Sequence, residues 1–498
     1  MVNMHMSDCL GGWCFWDEDF KQMLSVPRYV DQGQVTKDVF RTDAHILEIN
    51  SKSGLYPLYV AYNIYRSRVE EAKKKYGEVG IGFAKSLWDA TIEENILVVC
   101  KTPMAKSITK RTLAGFRDTK VNAQYYKNLI ENISERPEVV VNTFRDGKHF
   151  WKINENTHMK FEAIVGNPPY QLMLEGTNRF NSLYHLFITL ARKINPSYIS
   201  MITPSRWMSR GAQAIPDLWI DEMLQNNHFI TIHDYINATD CFSGVEIKGG
   251  VNYFLFKEKY VGKCHRFIHD SNGITEIFGT LDENSMGVVI RDSKGLDILN
   301  KIIKVEGESY KKNNFSSLVS SKAFFGQDIT LSSNWTGYSK EQSPINNIKC
   351  YINKRLEPSG YGWMPRSEVY KNQNSIDIYK IFIPEAGGDG RDSMVLGKPF
   401  LGEPGSVCSL TYILIGYDPH KHNFSKKECE NILSYIKSRF FRYIVSLKKK
   451  TQHGDKEVYQ FVPLQDFSKP WTDADLYTKY GLTDEEIAFI ESMIKPME

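Results

Sequence analysis

Through the first half of the chain, short apolar runs alternate with stretches of helical spacing. That alternation predicts a parallel sheet joined by crossover helices. The runs at 45–49, 95–100, 137–142, 161–165, 198–202, 229–235 and 251–256 are the expected strands. Between them, 183–193 places Leu183, Leu186, Phe187, Leu190 and Ala191 on one helical face, and 214–225 and 55–68 read as further helices. Beyond Lys259 the rhythm changes, because glycine, asparagine, serine and aspartate become denser and helical spacing thins out. The exception is 425–448, read as one helix with Cys429, Ile432, Ile436, Phe440 and Ile444 as its buried stripe. The expected architecture is therefore a doubly wound α/β sheet over 1–262, followed by an α+β domain over 263–498.

Composition changes this picture little. The chain has 498 residues, 42% of them hydrophobic and 24% charged, which suits about two to three folded domains. A formal charge of +3 gives no global field for an anionic polymer, so any nucleic-acid partner must meet local basic surface. One such segment carries Lys101, Lys106, Lys110, Arg111, Arg117 and Lys120. The other carries Lys437, Arg439, Arg442, Lys448, Lys449 and Lys450 with no acid among them. Solvated helix faces would show the same pattern. The eight cysteines lack CxxC spacing, so they read as reduced thiols, and no metal site is expected. The N-terminal stretch lacks a signal-peptide pattern and no run of about 18 apolar residues occurs, so a cytoplasmic protein with no membrane partner is expected.

The chemistry concentrates at Gly166-Asn167-Pro168-Pro169-Tyr170, directly after the apolar run 161–165. Two prolines fix φ and remove two amide donors, so a strand must end there. In an open α/β sheet that places the turn where ligands bind, beyond the carboxyl ends of the strands. A planar exocyclic amine suits these residues. Its lone pair is delocalised into the ring and no ordinary side chain deprotonates it at neutral pH, but the Asn167 amide oxygen and the Pro168 carbonyl can each accept one of its hydrogens. Tyr170 supplies a stacking face. The same four residues would also make a plain strand cap. Upstream, Glu48-Ile49-Asn50-Ser51-Lys52-Ser53-Gly54 reads as strand, acid and glycine turn before a helix, the way doubly wound sheets hold adenosine-containing cofactors, and equally as an ordinary tight turn.

Taken in order, these two turns and the long C-terminal half resemble the amino-group DNA methyltransferases that use S-adenosylmethionine, and most closely the Eco57I-like restriction-modification methylases. The resemblance covers most of the chain. It implies a Rossmann-like methyltransferase domain, followed by a target-recognition domain that reads double-stranded DNA. The implied reaction is methylation of adenine N6 on a base flipped from the duplex, with cytosine N4 chemically adjacent. By the same likeness, the catalytic residues are Asn167, Pro168, Pro169 and Tyr170, and Phe242 covers the second face of the base. Gln34 and Thr36 lie in the segment that closes over the cofactor, and Glu48, Asn50 and Gly54 form its turn. The pattern departs at Lys52, where a small residue is usual. It departs again at Lys101-Thr102, where an acid usually meets the ribose, which leaves that contact to Glu48 or Thr102. Asp146 is placed against the cofactor adenine, and the basic set 437–450 against DNA phosphates, with Thr451 and Gln452 near base edges. The loop 386–391 is a further groove-entering segment. A restriction nuclease or translocase is the implied protein partner. The alternatives are a catalytically weakened DNA-specificity subunit and a methyltransferase acting on RNA or a protein glutamine.

Overall fold

The computed structural model describes residues 1–153, 158–173, 180–271, 273–283, 285–326, 331–332, 335–352, 360–387, 393–449 and 452–497. Lys450, Thr451 and most of the loop 386–391 lie outside them. The chain divides into two compact units, Met1–Glu283 and Asn284–Glu498.

The first unit opens with α1 (Val2–Leu10), the hairpin β1 (Gly12–Trp16) and β2 (Met23–Val30), and α2 (Gln34–Val39). The sheet then begins with β3 (Ile46–Ser51), followed by α3 (Leu55–Tyr76), α4 (Ile81–Glu94), β4 (Ile96–Cys100), α5 (Pro103–Ala114) and β5 (Asn122–Tyr125). Helices α6 (Leu129–Glu135) and α7 (Pro137–Arg145) carry the chain back to β6 (Ala163–Gly166). A small ribbon, β7 (Gln171–Met173) and β8 (Phe180–Ser182), precedes α8 (Tyr184–Ile194) and β9 (Tyr198–Pro204). The unit ends with α9 (Asp217–Gln225), β10 (Phe229–Tyr235), β11 (Val251–Phe256), β12 (Cys264–Asp270) and β13 (Gly273–Gly279).

Among the described residues the main sheet has nine strands in the order β13-β12-β10-β11-β9-β6-β3-β4-β5. Strands β9, β6, β3, β4 and β5 run parallel, whereas β11 lies antiparallel between β9 and β10. Every residue of β3, β4, β6, β9 and β11 is buried, as expected for strands covered on both faces. This is the doubly wound α/β arrangement expected from the alternation of apolar runs. The sheet continues past residue 262 through β12 and β13, so the compact unit ends at Glu283.

One expected strand is a helix. Residues 137–142 fall in α7, where Pro137 takes the first helical turn and Val140, Val141 and Phe144 face inward. The three valines suggest a strand by residue type, but only the inward pair and Phe144 at helical spacing are buried, and Val139 is half exposed. The strand in that part of the sheet is the polar-looking β5, whose Asn122 donates to the Glu93 carbonyl.

The second unit contains two three-stranded sheets and a group of helices. One sheet holds β14 (Ile348–Tyr351), β15 (Tyr361–Met364) and β18 (Ser406–Cys408), and the other β16 (Lys380–Pro384), β17 (Phe400–Gly402) and β19 (Tyr412–Ile415). Helix α10 (Ser293–Glu306) comes first; α11 (Lys426–Lys437), α12 (Arg439–Lys448), α13 (Asp473–Tyr480) and α14 (Asp484–Met493) follow the strands. The single helix expected over 425–448 is two. Ser438 breaks it with an extended ψ of 149°, and its hydroxyl accepts from Phe441 N. The Asp473 carboxylate accepts from Arg439 N at 3.1 Å and Phe440 N at 2.9 Å, so the new helix start is fully capped. All eight cysteines are unpaired and buried. No helix among the described residues is long and apolar enough to cross a membrane.

Candidate active site

Strand order reverses between β3 and β6. From β3 the chain moves outward to β4 and β5, then returns through α6 and α7 to lay β6 on the other side of β3. The crevice at such a reversal is where doubly wound sheets bind ligands. Both turns singled out in the sequence leave from its carboxyl edge, since Glu48 lies level with Val165 and Gly166 level with Met201.

Gly166 turns the chain out of β6 at φ +151°, and a Cβ there would stand 3.4 Å from the Glu48 Cγ. That distance is ordinary contact, so it is the backbone conformation at +151°, rarely adopted by residues with a Cβ, that calls for glycine here. Asn167 follows, half-buried, with its Oδ1 shielded from solvent and accepting no hydrogen bond. Pro168 is buried, and Tyr170 presents a buried hydroxyl that also lacks a partner. The backbone is held behind them, because the Tyr170 carbonyl accepts from Leu183 N at 3.0 Å. Phe242 approaches from the turn before β11, its amide bonded to the Ala238 carbonyl at 2.8 Å. The rings of Tyr170 and Phe242 are 6.5 Å apart and inclined at 71°. They meet edge to face, so one ring must turn before the pair can sandwich a flat base.

At the end of β3, Glu48 is buried, and its Oε2 has no partner. Burial pushes its carboxyl up to about 8, against the smaller opposing effects of the Ser51 hydroxyl and the Lys52 charge. Asn50 adopts φ +73°, and its buried Nδ2 donates to nothing. An acceptor and a donor two residues apart in the chain are thus both uncompensated, which costs stability unless a ligand completes them. Lys52 is exposed and stays on the solvent side.

The other residues expected around a cofactor have different placements. Gly54, at φ +75°, faces α5: a Cβ there would lie 3.1 Å from the Thr109 Cα, so the position serves helix packing. The buried Thr36 hydroxyl donates to the Leu10 carbonyl and accepts from Gln32 N, both at 2.8 Å, which ties α2 to α1. Gln34 is exposed and bonds Asp38. Thr102 caps α5 by accepting from Ala105 N. Asp146 follows a helix rather than a strand, and its carboxylate accepts from His149 N at 2.8 Å, which holds its pKa below the usual range.

Two residues at this site carry little or no sequence signal. Tyr56 is buried close to Tyr170 and Glu48. His5, fully buried, reaches the Tyr56 hydroxyl with Nδ1 and the Ser200 hydroxyl with Nε2, each at 2.8 Å. Burial drives its pKa down to about 3, so the imidazole is neutral. Only an aromatic just inside the helix after Gly54 hints at the first, and nothing local marks the second.

In the second unit, the basic set expected to meet phosphates is largely internal. Arg442 is 0% exposed, with Nε donating to the Ser438 carbonyl and Nη1 to the Met394 carbonyl. Lys448 and Lys449 are buried, bonded to the Gln460 side chain and the Gly387 carbonyl. Arg439 pairs with Glu491 at 2.8 Å, and Lys437 is half-buried at the end of α11. The expectation that this set meets phosphates is corrected for Arg442, Lys448 and Lys449, which are buried and bonded within the unit, whereas Lys437 and Arg439 stay partly exposed.

The family match falls within the first unit, and the structural matches extend over most of the chain. Residues 94–242 match the family profile described as Eco57I restriction-modification methylase. An uncharacterized adenine-specific methylase of Mycoplasma pneumoniae is 28% identical over 209 residues, which is 39% of this chain and 49% of that protein. The chain thus spans about half the length of this curated relative. Among solved structures, a nuclease-deletion mutant of the Type ISP restriction-modification enzyme LlaGI with a DNA substrate mimic aligns at TM-score 0.45 and 12% identity, over 85% of this chain and 44% of that one. The Type IIL restriction-modification enzyme MmeI in complex with DNA aligns at TM-score 0.42 and 9% identity, over 92% and 73%.

Proposed function

We propose that this protein is an S-adenosylmethionine-dependent, site-specific DNA adenine-N6 methyltransferase of a restriction-modification system. The observation that carries the reading is the Asn167 to Tyr170 turn at the β3/β6 reversal, with the Asn167 Oδ1 and Tyr170 hydroxyl buried and unpartnered. The adenine-specific relative and the family match over 94–242 support the substrate class and the methyl donor.

In this reading a target adenine leaves the duplex and enters beside Tyr170. Asn167 Oδ1 and the Pro168 carbonyl accept its two N6 hydrogens, which concentrates the nitrogen lone pair. Tyr170 and Phe242 hold the ring flat once Phe242 turns from its edge-to-face position. The residues at the end of β3 fit the cofactor: Glu48 Oε2 and Asn50 Nδ2 are the orphaned acceptor and donor that an amino-acid or ribose portion would satisfy. When bound there, S-adenosylmethionine supplies an electrophilic methyl group. The protein's part is positioning and electrostatics, with no side chain required to take a proton from the amine before transfer.

Because Arg442, Lys448 and Lys449 of the basic stretch are buried, the charge pattern no longer favours DNA over other substrates. The test therefore offers the protein labelled S-adenosylmethionine with mixed-sequence duplex DNA, RNA and protein in parallel. Methylated adenine in duplex DNA within a recurring sequence, mapped by sequencing, is the expected result. Label in RNA or protein alone, or in no substrate, would overturn it.

A further inference from the structure

We infer that His5 is a positioning residue for methyl transfer: through Nδ1 it holds the Tyr56 hydroxyl, and with it the Tyr56 ring, as a fixed wall of the crevice where target base and methyl donor meet. The inference rests on the methyltransferase reading and deepens it by adding two residues to the same site.

The wall stands where that meeting has to occur. Tyr56 lies in the first turn of α3, just after Gly54, is 4% exposed, and is close to Glu48, Tyr170 and Cys241. It shares one buried cluster with Val165 and Cys241, and Phe242 packs against that cluster. The end of β3, the catalytic turn and the segment that carries Phe242 therefore converge around one ring.

His5 fixes that ring and is itself fixed. Its Nδ1 lies 2.8 Å from the Tyr56 hydroxyl and its Nε2 lies 2.8 Å from the Ser200 hydroxyl. A neutral imidazole has one donor and one acceptor, and each hydroxyl can take the complementary role, so both bonds form together. The imidazole stacks on Tyr253 at 4.9 Å and 25°, and the Tyr253 hydroxyl donates to Asp8, one turn along α1 from His5. Beyond His5, the Tyr56 hydroxyl meets the Met1 thioether at 3.4 Å, a weak acceptor. Ser200 is level with Val165, and Val165 with Glu48. His5 thus ties the strand beside β6 to the helix that follows β3.

Core stability does not call for this arrangement, because exchanging hydrogen-bonded partners for apolar groups of the same shape is nearly neutral. What a satisfied buried network adds is rigidity and a single geometry. Transfer needs the reacting atoms about 3–3.5 Å apart and in line, and a misplacement of about 1 Å costs about 10²-fold. A wall set by two hydrogen bonds and a stacked ring suits that demand.

The test uses the full-length protein and the duplex site mapped by the sequencing experiment. Steady-state methyl transfer is measured for wild type, H5F, Y56F, the double variant and H5N, with S-adenosylhomocysteine titrated calorimetrically and the melting temperature recorded for each. H5F and Y56F are each expected to lower kcat about tenfold or more, with the duplex KM and the S-adenosylhomocysteine Kd within about threefold of wild type. The double variant should be at most about twofold slower than the slower single one, since both changes remove the same bond. H5N, whose side-chain amide can reach Tyr56 in place of Nδ1, should return kcat to within about threefold of wild type. Losses that multiply in the double variant would overturn the positioning role. So would wild-type kcat in Y56F, an effect on KM or Kd alone, or H5N no faster than H5F. If H5F does not fold, Y56F and H5N decide the matter by the same readings. Should the wild type itself transfer no methyl group, the methyltransferase reading falls first and takes this one with it.

Discussion

Two regions of the molecule bury polar side chains, and they differ in how many they leave without a hydrogen bond. At the β3/β6 reversal, Asn167 Oδ1, Tyr170 OH, Glu48 Oε2 and Asn50 Nδ2 are shielded from water and unpartnered. Around α11 and α12, the buried cations are mostly tied down: Arg442 to two backbone carbonyls through Nε and Nη1, with only its Nη2 unpartnered, Lys448 to Gln460, Lys449 to Gly387. Lys380 on β16 likewise donates to the Ile376 and Ile378 carbonyls, both at 3.0 Å. An unmade hydrogen bond in a protein interior costs about 1–3 kcal/mol, so several left together in one crevice point to a ligand that completes them. A buried charge that is bonded to backbone carbonyls serves the fold. Burial alone therefore does not separate a site from a core; single unpartnered atoms such as Arg442 Nη2 and Tyr459 OH occur in the second unit too, and what sets the reversal apart is four of them on two adjoining turns.

The sharpest way to break this contrast is Asn167→Ala. The amide oxygen holds nothing in the folded protein, so its removal should leave the melting temperature nearly unchanged. Removing a preorganised group of this kind typically lowers kcat by about 10²–10³-fold. Single-turnover methyl transfer, with duplex binding measured alongside, checks both halves. An Asn167→Ala protein with wild-type turnover would sink the assignment.

Arg442→Ala should do the reverse. Two carbonyls lose their donor and a cavity replaces the guanidinium, which together should cost about 2–4 kcal/mol in urea unfolding. Methyl transfer per folded molecule should stay at the wild-type level. A large fall in transfer with unchanged stability would move Arg442 from the structural class to the functional one.

Glu48 tests the contrast through pH. Its carboxyl rises from 4.5 to about 8 on folding because burial disfavours the charge. Below the unfolded value both states carry the proton and the group has no effect. Between that value and about 8 the folded state holds a proton that the unfolded state has lost, so stability falls as pH rises across this window, by up to about 1.4 kcal/mol per unit. Above it the penalty is constant. Glu48→Gln should flatten that decline in the cofactor-free protein, as read from urea midpoints at pH 5.5 and 8. At neutral pH the wild-type carboxyl keeps its proton, which makes it a donor as well as an acceptor for a ligand.

How much of this was legible in the sequence depended on what the residue types constrain. Two consecutive prolines after an apolar run forbid the strand to continue, so the place of Asn167 at a strand end was readable without tertiary information. Val139, Val140 and Val141 constrain less: valine is tolerated in a helix when packing rewards it, and only the burial of Val140, Val141 and Phe144 decides the matter. Asn122 to Tyr125 is too polar to read as a strand, yet it completes the sheet edge through pairing with β4. The apolar stripe through Cys429, Ile432, Ile436, Phe440 and Ile444 was correctly read as core. What the stripe could not reveal is that Ser438 ends one helix and begins another, so that the opposite face is covered too. Tyr56 and His5 meet only through contacts made from far along the chain.

The smallest expected effect concerns Lys448. Proteins that neutralise phosphates release counterions, so each lost phosphate contact lowers the salt slope of duplex binding by about one unit. Lys448 is bonded to Gln460, and its ammonium lies 5.7 Å from the centre of the Phe461 ring. In that setting Lys448→Met keeps the packing volume and should leave the slope of log K against log salt where the wild type has it. Titrating duplex DNA at several salt concentrations reads this directly, and the melting temperature of the same samples reports any loss of packing. A slope lower by one unit with unchanged melting would mean that Lys448 leaves the core to meet DNA, and the division between tied and untied buried groups would fail at that residue.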